Sequence, residues 1–112
     1  MTDWTTEFPG AVTVCDREGV ITGMNDRAAA TFEADGGRAL VGTNLLSCHP
    51  EPSRGMVANL LANPRVNAYT IEKRGVRKLI YQAPWYRGGL FAGLVELSLE
   101  IPESMPHFVR TG

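Results

Sequence analysis

Residues 90–101 constrain the chain more than any other stretch. Phe91, Gly93, Val95, Leu97, Leu99 and Ile101 fall on one side of an extended backbone, and Ala92, Leu94, Glu96, Ser98 and Glu100 on the other. A period of two over twelve residues reads as a strand, with the first set expected to be buried and the second mostly wet. Such a strand needs hydrogen-bonded neighbours, and the preceding sequence supplies them. Residues 66–73 and 76–86 flank Arg74-Gly75, and Gly88-Gly89 separates the second run from the third. Turn signals this close predict an antiparallel meander.

Upstream, residues 11–15 are rich in Val and Thr, Asp16-Arg17-Glu18-Gly19 has turn chemistry, and Val20-Ile21-Thr22-Gly23-Met24 resumes an extended run. This is a second hairpin. Asn25 is a candidate N-cap, because its side-chain oxygen can accept from an unpaired backbone N–H, and residues 26–33 carry three alanines that favour a short helix. Gly36-Gly37 ends it and Gly42 interrupts the next stretch, so residues 38–49 read as short turns. Past Pro50 and Pro52, residues Met56, Val57, Leu60 and Leu61 recur at spacings of three and four, predicting an amphipathic helix over 53–63 that Asn63-Pro64 stops. Residues 1–10, with Trp4 and Phe8 before Pro9-Gly10, read as an N-terminal cap, and 103–112 as a C-terminal tail. The fold class is α+β: an antiparallel sheet with helices inserted after its first hairpin.

Size and charge set the outer bounds. A chain of 112 residues buries roughly two-thirds of its unfolded surface on folding, enough for one core, so a single domain over 1–112 is expected. Twelve carboxylates against eleven Lys and Arg leave a net charge of −1, which argues against nucleic acid as a partner, and the 44% apolar content argues against disorder. No apolar run approaches the roughly 20 residues that span a bilayer, and Met1-Thr2-Asp3-Trp4 does not open a secretory signal. Cys15 and Cys48 are too few and too far apart for a disulfide framework or a metal knuckle. A cytoplasmic protein with reduced thiols is expected.

Three local patterns resemble the PAS family of sensory and interaction domains common in bacterial signalling. Asp16-Arg17-Glu18-Gly19-Val20-Ile21 is similar to the family's hairpin turn, Met24-Asn25-Asp26-Arg27-Ala28-Ala29 to its strand end and Asn-opened helix, and Leu40-Val41-Gly42 to its Leu-Ile-Gly turn. The resemblance covers residues 8–102. Cys48-His49-Pro50-Glu51-Pro52-Ser53 further resembles the Cys-His-Pro segment of PAS domains attached to hemerythrin-like domains. The resemblance implies a five-stranded sheet, helices inserted between strands 2 and 3, and a pocket between sheet and helices where small ligands or cofactors sit. Strand and helix parity nominate its walls: Val14, Ile21, Phe32, Leu45, Met56, Leu60, Ile71, Tyr81, Val95 and Leu97. The same side chains equally serve as close-packed core.

Cys48 and His49 invite a thiol–imidazole reading, but neighbours diverge by about 100° on a helix and point oppositely on a strand, so neither geometry brings base to nucleophile. No enzyme is expected. Some PAS domains bind haem through a helical-wall histidine, which makes Cys48 and His49 candidate haem or redox residues; His49 departs from that pattern by preceding Pro50, and a hydrogen bond to a backbone carbonyl is the other reading. Asn44-Leu45-Leu46-Ser47-Cys48 does not match the Asn-Cys-Arg-Phe-like segment of flavin photoreceptors, so flavin is disfavoured. Tyr81, Trp85 and Tyr86 cluster around Pro84, which belongs at an edge or bulge. The resemblance implies pairing through the outer sheet face and the N-terminal segment, hence a homodimer. Three readings stand: a small-molecule sensor, a ligand-free docking module, and a haem or redox switch. No kinase, cyclase or DNA-binding segment is read after the last strand, so output is expected to pass to a partner protein in trans unless the chain is an excised fragment.

Overall fold

A computed structural model describes residues 3–112. Met1 and Thr2 of the expected cap, and the Cys48 side chain, lie outside the described residues. In chain order the elements are β1 (Ala11–Cys15), β2 (Ile21–Met24), α1 (Asp26–Thr31), two 3-10 turns (Glu33–Asp35 and Gly37–Leu40), α2 (Leu45–Cys48), α3 (Ser53–Ala62), β3 (Asn67–Lys73), β4 (Val76–Arg87) and β5 (Leu90–Ile101). The five strands form one antiparallel sheet in the order β2-β1-β5-β4-β3, with β5 at its centre.

Local chemistry explains the turns. Lys73 pairs with Val76 around Arg74 (φ 54°) and Gly75 (φ 77°), and Arg87 pairs with Leu90 around Gly88 (φ 59°) and Gly89 (φ 81°). Positive φ at both centres makes a two-residue turn whose twist matches that of the flanking strands. In the first hairpin the Asp16 carboxylate accepts from the N–H groups of Glu18 and Val20 at 2.9 and 3.0 Å. Pro84 sits where β4 runs past β3: their pairing starts at Asn67 and Gln82, so no strand on that side asks Pro84 for an N–H, and a bulge follows between Trp85 and Tyr86.

Asn25 joins four segments. Its Oδ1 accepts from Val12 N–H (2.9 Å) and from Ala28 N–H (3.0 Å), and its Nδ2 donates to the carbonyls of Thr5 (2.9 Å) and Gly10 (2.8 Å). One side chain, 1% exposed, thus caps α1 and ties it to β1 and to the N-terminal segment. Asp26 N–H donates to Thr6 O beside it, and Phe8 reaches the sheet near Gly10 and Leu99. Trp4 packs edge-on against Phe8 but is 73% exposed, so the cap covers the core edge with Phe8 rather than with both rings.

The helical wall is stitched to the free edge of β2. Ile21 N–H donates to Thr43 O, Gly42 N–H to Ile21 O and Leu45 N–H to Gly19 O, while Asn44 caps α2 through Leu46 N–H and donates to Glu18 O. The buried side chains form two groups against the sheet: Ala11, Ile21, Met24 and Ala28, and Cys15, Leu60 and Leu94.

These groups put the helices over the face of β5 expected to be mostly wet. Leu94 and Glu96 look toward the helices, alongside Thr13 and Gln82, which the register places directly beside Glu96. Val95, Leu97 and Leu99 look away and are half-buried without a helix over them. The period of two is correct, and the first set is half-buried or buried as expected; what differs is that the helices cover the second set, which is not mostly wet. Alternation reports which residues share a side, whereas the helices choose the side by packing on Ala11 and Cys15 of β1.

Two substitutions test this framework. Asn25→Ala removes four hydrogen bonds from a buried site, an expected loss of about 3 kcal/mol, or roughly 12 °C in Tm at ~4 °C per kcal/mol; a thermal melt shifted by under about 3 °C would contradict the role given to this side chain. At Gly93 an added Cβ would stand 1.9 Å from Cys15 O and 2.8 Å from Asp16 Cα. Gly93→Ala must therefore push β1 off β5, costing about 3 kcal/mol in urea unfolding; an unchanged midpoint would refute the close approach.

Candidate functional site

A cavity of about 210 Å³ lies between the sheet and the helical layer. Interiors pack without voids much above a water's size, and an engineered apolar cavity of about 150 Å³ holds benzene in another protein, so this one suits a single ring with a short arm. It is bounded by the short elements between β2 and α3: α1 packs on β1 through Ala28, and Phe32, Leu40 and Leu45 that follow stand around the space. Ile21, Met24, Phe32, Leu40 and Leu45 form the wall on the β2 side, and Val57 and Leu60 of α3 with Leu94 of β5 close the other.

The floor is polar. Thr13, Glu96, Gln82 and Asn67 occupy one rung across four strands, β1-β5-β4-β3. Asn67 Nδ2 donates to Gln82 Oε1, and Gln82 Nε2 to Glu96 Oε2, both at 2.9 Å. An ionised carboxylate only accepts, so Glu96 turns the Gln82 amide N–H toward itself and the Gln82 carbonyl toward Asn67. Thr13 and Gln82 are under 10% exposed, and Thr13, Gln82 and Glu96 all line the cavity. Burial of this rung beside an apolar wall is tolerated because Asn67, Gln82 and Glu96 satisfy one another.

Asp35 and His49 complete the lining. His49 follows α2, and its Nδ1 lies 2.8 Å from Leu45 O. A carbonyl can only accept, so Nδ1 carries the hydrogen and, in the neutral ring, Nε2 keeps its lone pair. Cys15 faces the same space. Burial pushes its thiol pKa up, the Leu94 N–H opposes this, and the Asp16 and Glu96 carboxylates raise it further. Such a thiol is a poor nucleophile. The Tyr69 phenol is likewise raised, by burial first and then by Glu96.

Of the residues nominated from sequence, Ile21, Phe32, Leu45, Leu60, Val95 and His49 line the cavity. Val95 does so from a position whose side chain alternates to the far face of the sheet from Leu94 and Glu96. Val14, Met56, Ile71, Tyr81 and Leu97 do not line it. Val14, Tyr81 and Leu97 belong to the uncovered face of the sheet, paired on the rungs of Val95 and Val12. Ile71 shares the floor's face, but it lies past the cavity at an edge the helices do not reach, and Met56 points outward from α3. The Cys48 thiol lies outside the described residues. Missed were Thr13, Cys15, Met24, Asp35, Leu40, Val57, Gln82, Leu94 and Glu96. One signal was available for the floor: Glu96 is the sole charged residue in the run 90–99.

Haem does not fit this geometry. A space sized for one ring has no room for a four-pyrrole macrocycle, although a histidine whose Nδ1 is held by a carbonyl has the orientation of a metal ligand. Among the described residues no group of three or more His, Cys, Asp or Glu is placed to hold a metal ion, and no helix is long and apolar enough to cross a membrane.

Comparison with known proteins finds no matching family model and no matching curated protein. Solved structures do match. A C-terminal domain from Streptococcus mutans superposes with a TM-score of 0.69 at 20% identity, covering 86% of this chain and 78% of that one. The PAS domain of BvgS from Bordetella pertussis gives 0.63 at 24% identity, with 88% and 82% covered. The Aer2 receptor from Vibrio cholerae, described as a dual PAS-heme oxygen sensor, gives 0.59 at 17%, with 83% and 95% covered. At these identities the likeness concerns architecture, and that architecture, a five-stranded antiparallel sheet with helices inserted between its second and third strands, is the PAS fold.

Proposed function

We propose that this chain is a non-catalytic, cytoplasmic sensory module. A small, largely apolar molecule enters the space between sheet and helices, and its occupancy shifts the helical wall, a change relayed through a dimer or partner surface. The cavity carries this reading: about 210 Å³ of mainly apolar lining exceeds what packing defects leave and matches a single-ring ligand. The short wall elements supply the movable part. Among the described residues only α3 is longer than two turns; α2 joins the β2 side through Leu45 N–H on Gly19 O and packs Leu45 on both buried groups beside the cavity, so a ligand that favours one placement of α2 changes its population. The likeness to a receptor described as an oxygen sensor and to the PAS domain of BvgS supports the class of function.

A ligand-free docking module is the second reading, favoured by the outer face of the sheet. Val14, Val95, Leu97, Leu99, Leu79 and Tyr81 make a contiguous apolar stripe there with no helix over it, reached at its Leu99 end by Phe8. A second copy of the chain is the proposed occupant, as a homodimer that passes the signal to a partner protein. The attachment to a hemerythrin-like partner implied by the Cys-His-Pro segment, and a redox role for Cys48, stay proposals of the same kind.

Two measurements separate these readings. Native mass spectrometry of protein purified from its expression host is expected to show the chain plus one small molecule, released on denaturation; absence of adducts together with no thermal shift from a panel of single-ring compounds would exclude the sensor reading. Sedimentation at micromolar concentration is expected to give twice the monomer mass for the wild type and the monomer for Tyr81→Glu, since a charge placed in an apolar interface loses its hydration. A wild-type monomer at every concentration would dismiss the homodimer.

A further inference from the structure

The polar floor specifies a chemical class of ligand. Every charged or titratable side chain lining the cavity is acidic, imidazole or thiol: Glu96, Asp35, His49 and Cys15, with no Lys or Arg among the described lining residues. Glu96 stands at the centre of the rung Thr13-Glu96-Gln82-Asn67, and the ladder spends only one hydrogen bond on it, from Gln82 to Oε2. A carboxylate has about four acceptor sites, so it retains capacity toward the cavity it lines. Its orientation is set in advance, because the Gln82 amide is itself anchored by Asn67 at 2.9 Å on the strand beyond.

On the reading that the cavity is a ligand site, we propose that its ligand is an organic cation: one apolar ring seated against Phe32, Leu45 and Leu60, with an ammonium or amidinium head on a short arm that donates to the Glu96 carboxylate. An apolar wall facing a pre-oriented acceptor selects for both ends of such a molecule. A neutral ring would leave the carboxylate without its counter-charge, and an anion would be repelled by Glu96 and Asp35. A hydrogen bond to a charged group contributes about 1.5–3 kcal/mol, or roughly tenfold and upward in affinity.

Three probes of one shape test this: phenethylamine, 2-phenylethanol and 3-phenylpropionate, titrated into 15N-labelled full-length protein and followed by amide shifts of the lining residues. The expected order is amine, then alcohol, then carboxylate, with the amine bound about tenfold tighter than the alcohol. Glu96→Gln keeps a side chain of the same size with an oxygen that can accept from Gln82, and is expected to weaken the amine about tenfold, to the level of the alcohol. Equal binding of amine and alcohol by the wild type, a ranking that needs no variant, would overturn the cation assignment and leave the cavity reading standing. An amine affinity that Glu96→Gln does not lower would likewise overturn it. Tightest binding of the carboxylate would reverse it, and lining residues that respond to none of the three would overturn both the assignment and the ligand site beneath it.

Discussion

Asn25 is the constraint on which the rest of the structure depends. It is buried, it lies between the end of β2 and the start of α1, and its four side-chain hydrogen bonds reach Thr5, Gly10, Val12 and Ala28. Each of those backbone groups would otherwise be buried or left over at a helix start, where unpaired N–H groups are unavoidable without a cap. By satisfying them together, one amide sets where the chain turns from sheet to helix. It thereby anchors the start of α1 to β1 and to the N-terminal segment, and the packing of Ala28 with Ala11 holds α1 against the sheet.

The face chosen is the less apolar one. Val12, Val14, Val95, Leu97 and Leu99 look away from the helices, while Thr13, Gln82 and Glu96 lie under them. A helical layer that only maximised apolar burial would take the other side. What holds it is the packing of Ala11, Cys15 and Leu94 with Ala28 and Leu60, and the backbone stitching of Thr43 and Leu45 to the β2 edge. The polar rung persists under the helices because Asn67, Gln82 and Glu96 pair with one another, at a spacing only neighbouring strands provide. Natural chains depart from local consistency chiefly at functional sites, and a polar rung under the helices is what the proposed ligand site would require.

Most of the fold was legible along the chain. Arg74-Gly75 and Gly88-Gly89 marked their turns because two positive φ values in a row leave few alternatives to such pairs. The Asp16 turn, the Asn25 cap and the stripe at Val57 and Leu60 were readable for similarly local reasons. Half of the expected pocket walls were not, and the failures share one cause. Val14, Tyr81 and Leu97 were assigned inward because they are apolar and in phase, and phase is silent about direction. Ile71 and Met56 failed differently, since the helices reach neither the far edge of the sheet nor the outer side of α3.

The residues by themselves determined the kinds of element, their order and the points where the chain reverses, because caps, turns and periodicity act over a few neighbouring residues. Only the tertiary structure decided which face the helices cover, that a space remains beneath them, and that Glu96 stands on its floor. Those outcomes depend on contacts between segments seventy and more residues apart, such as the indole N–H of Trp85 on Cys15 O and the pairing of Ala11 with Ser98. No local pattern encodes the side of a sheet on which distant segments meet.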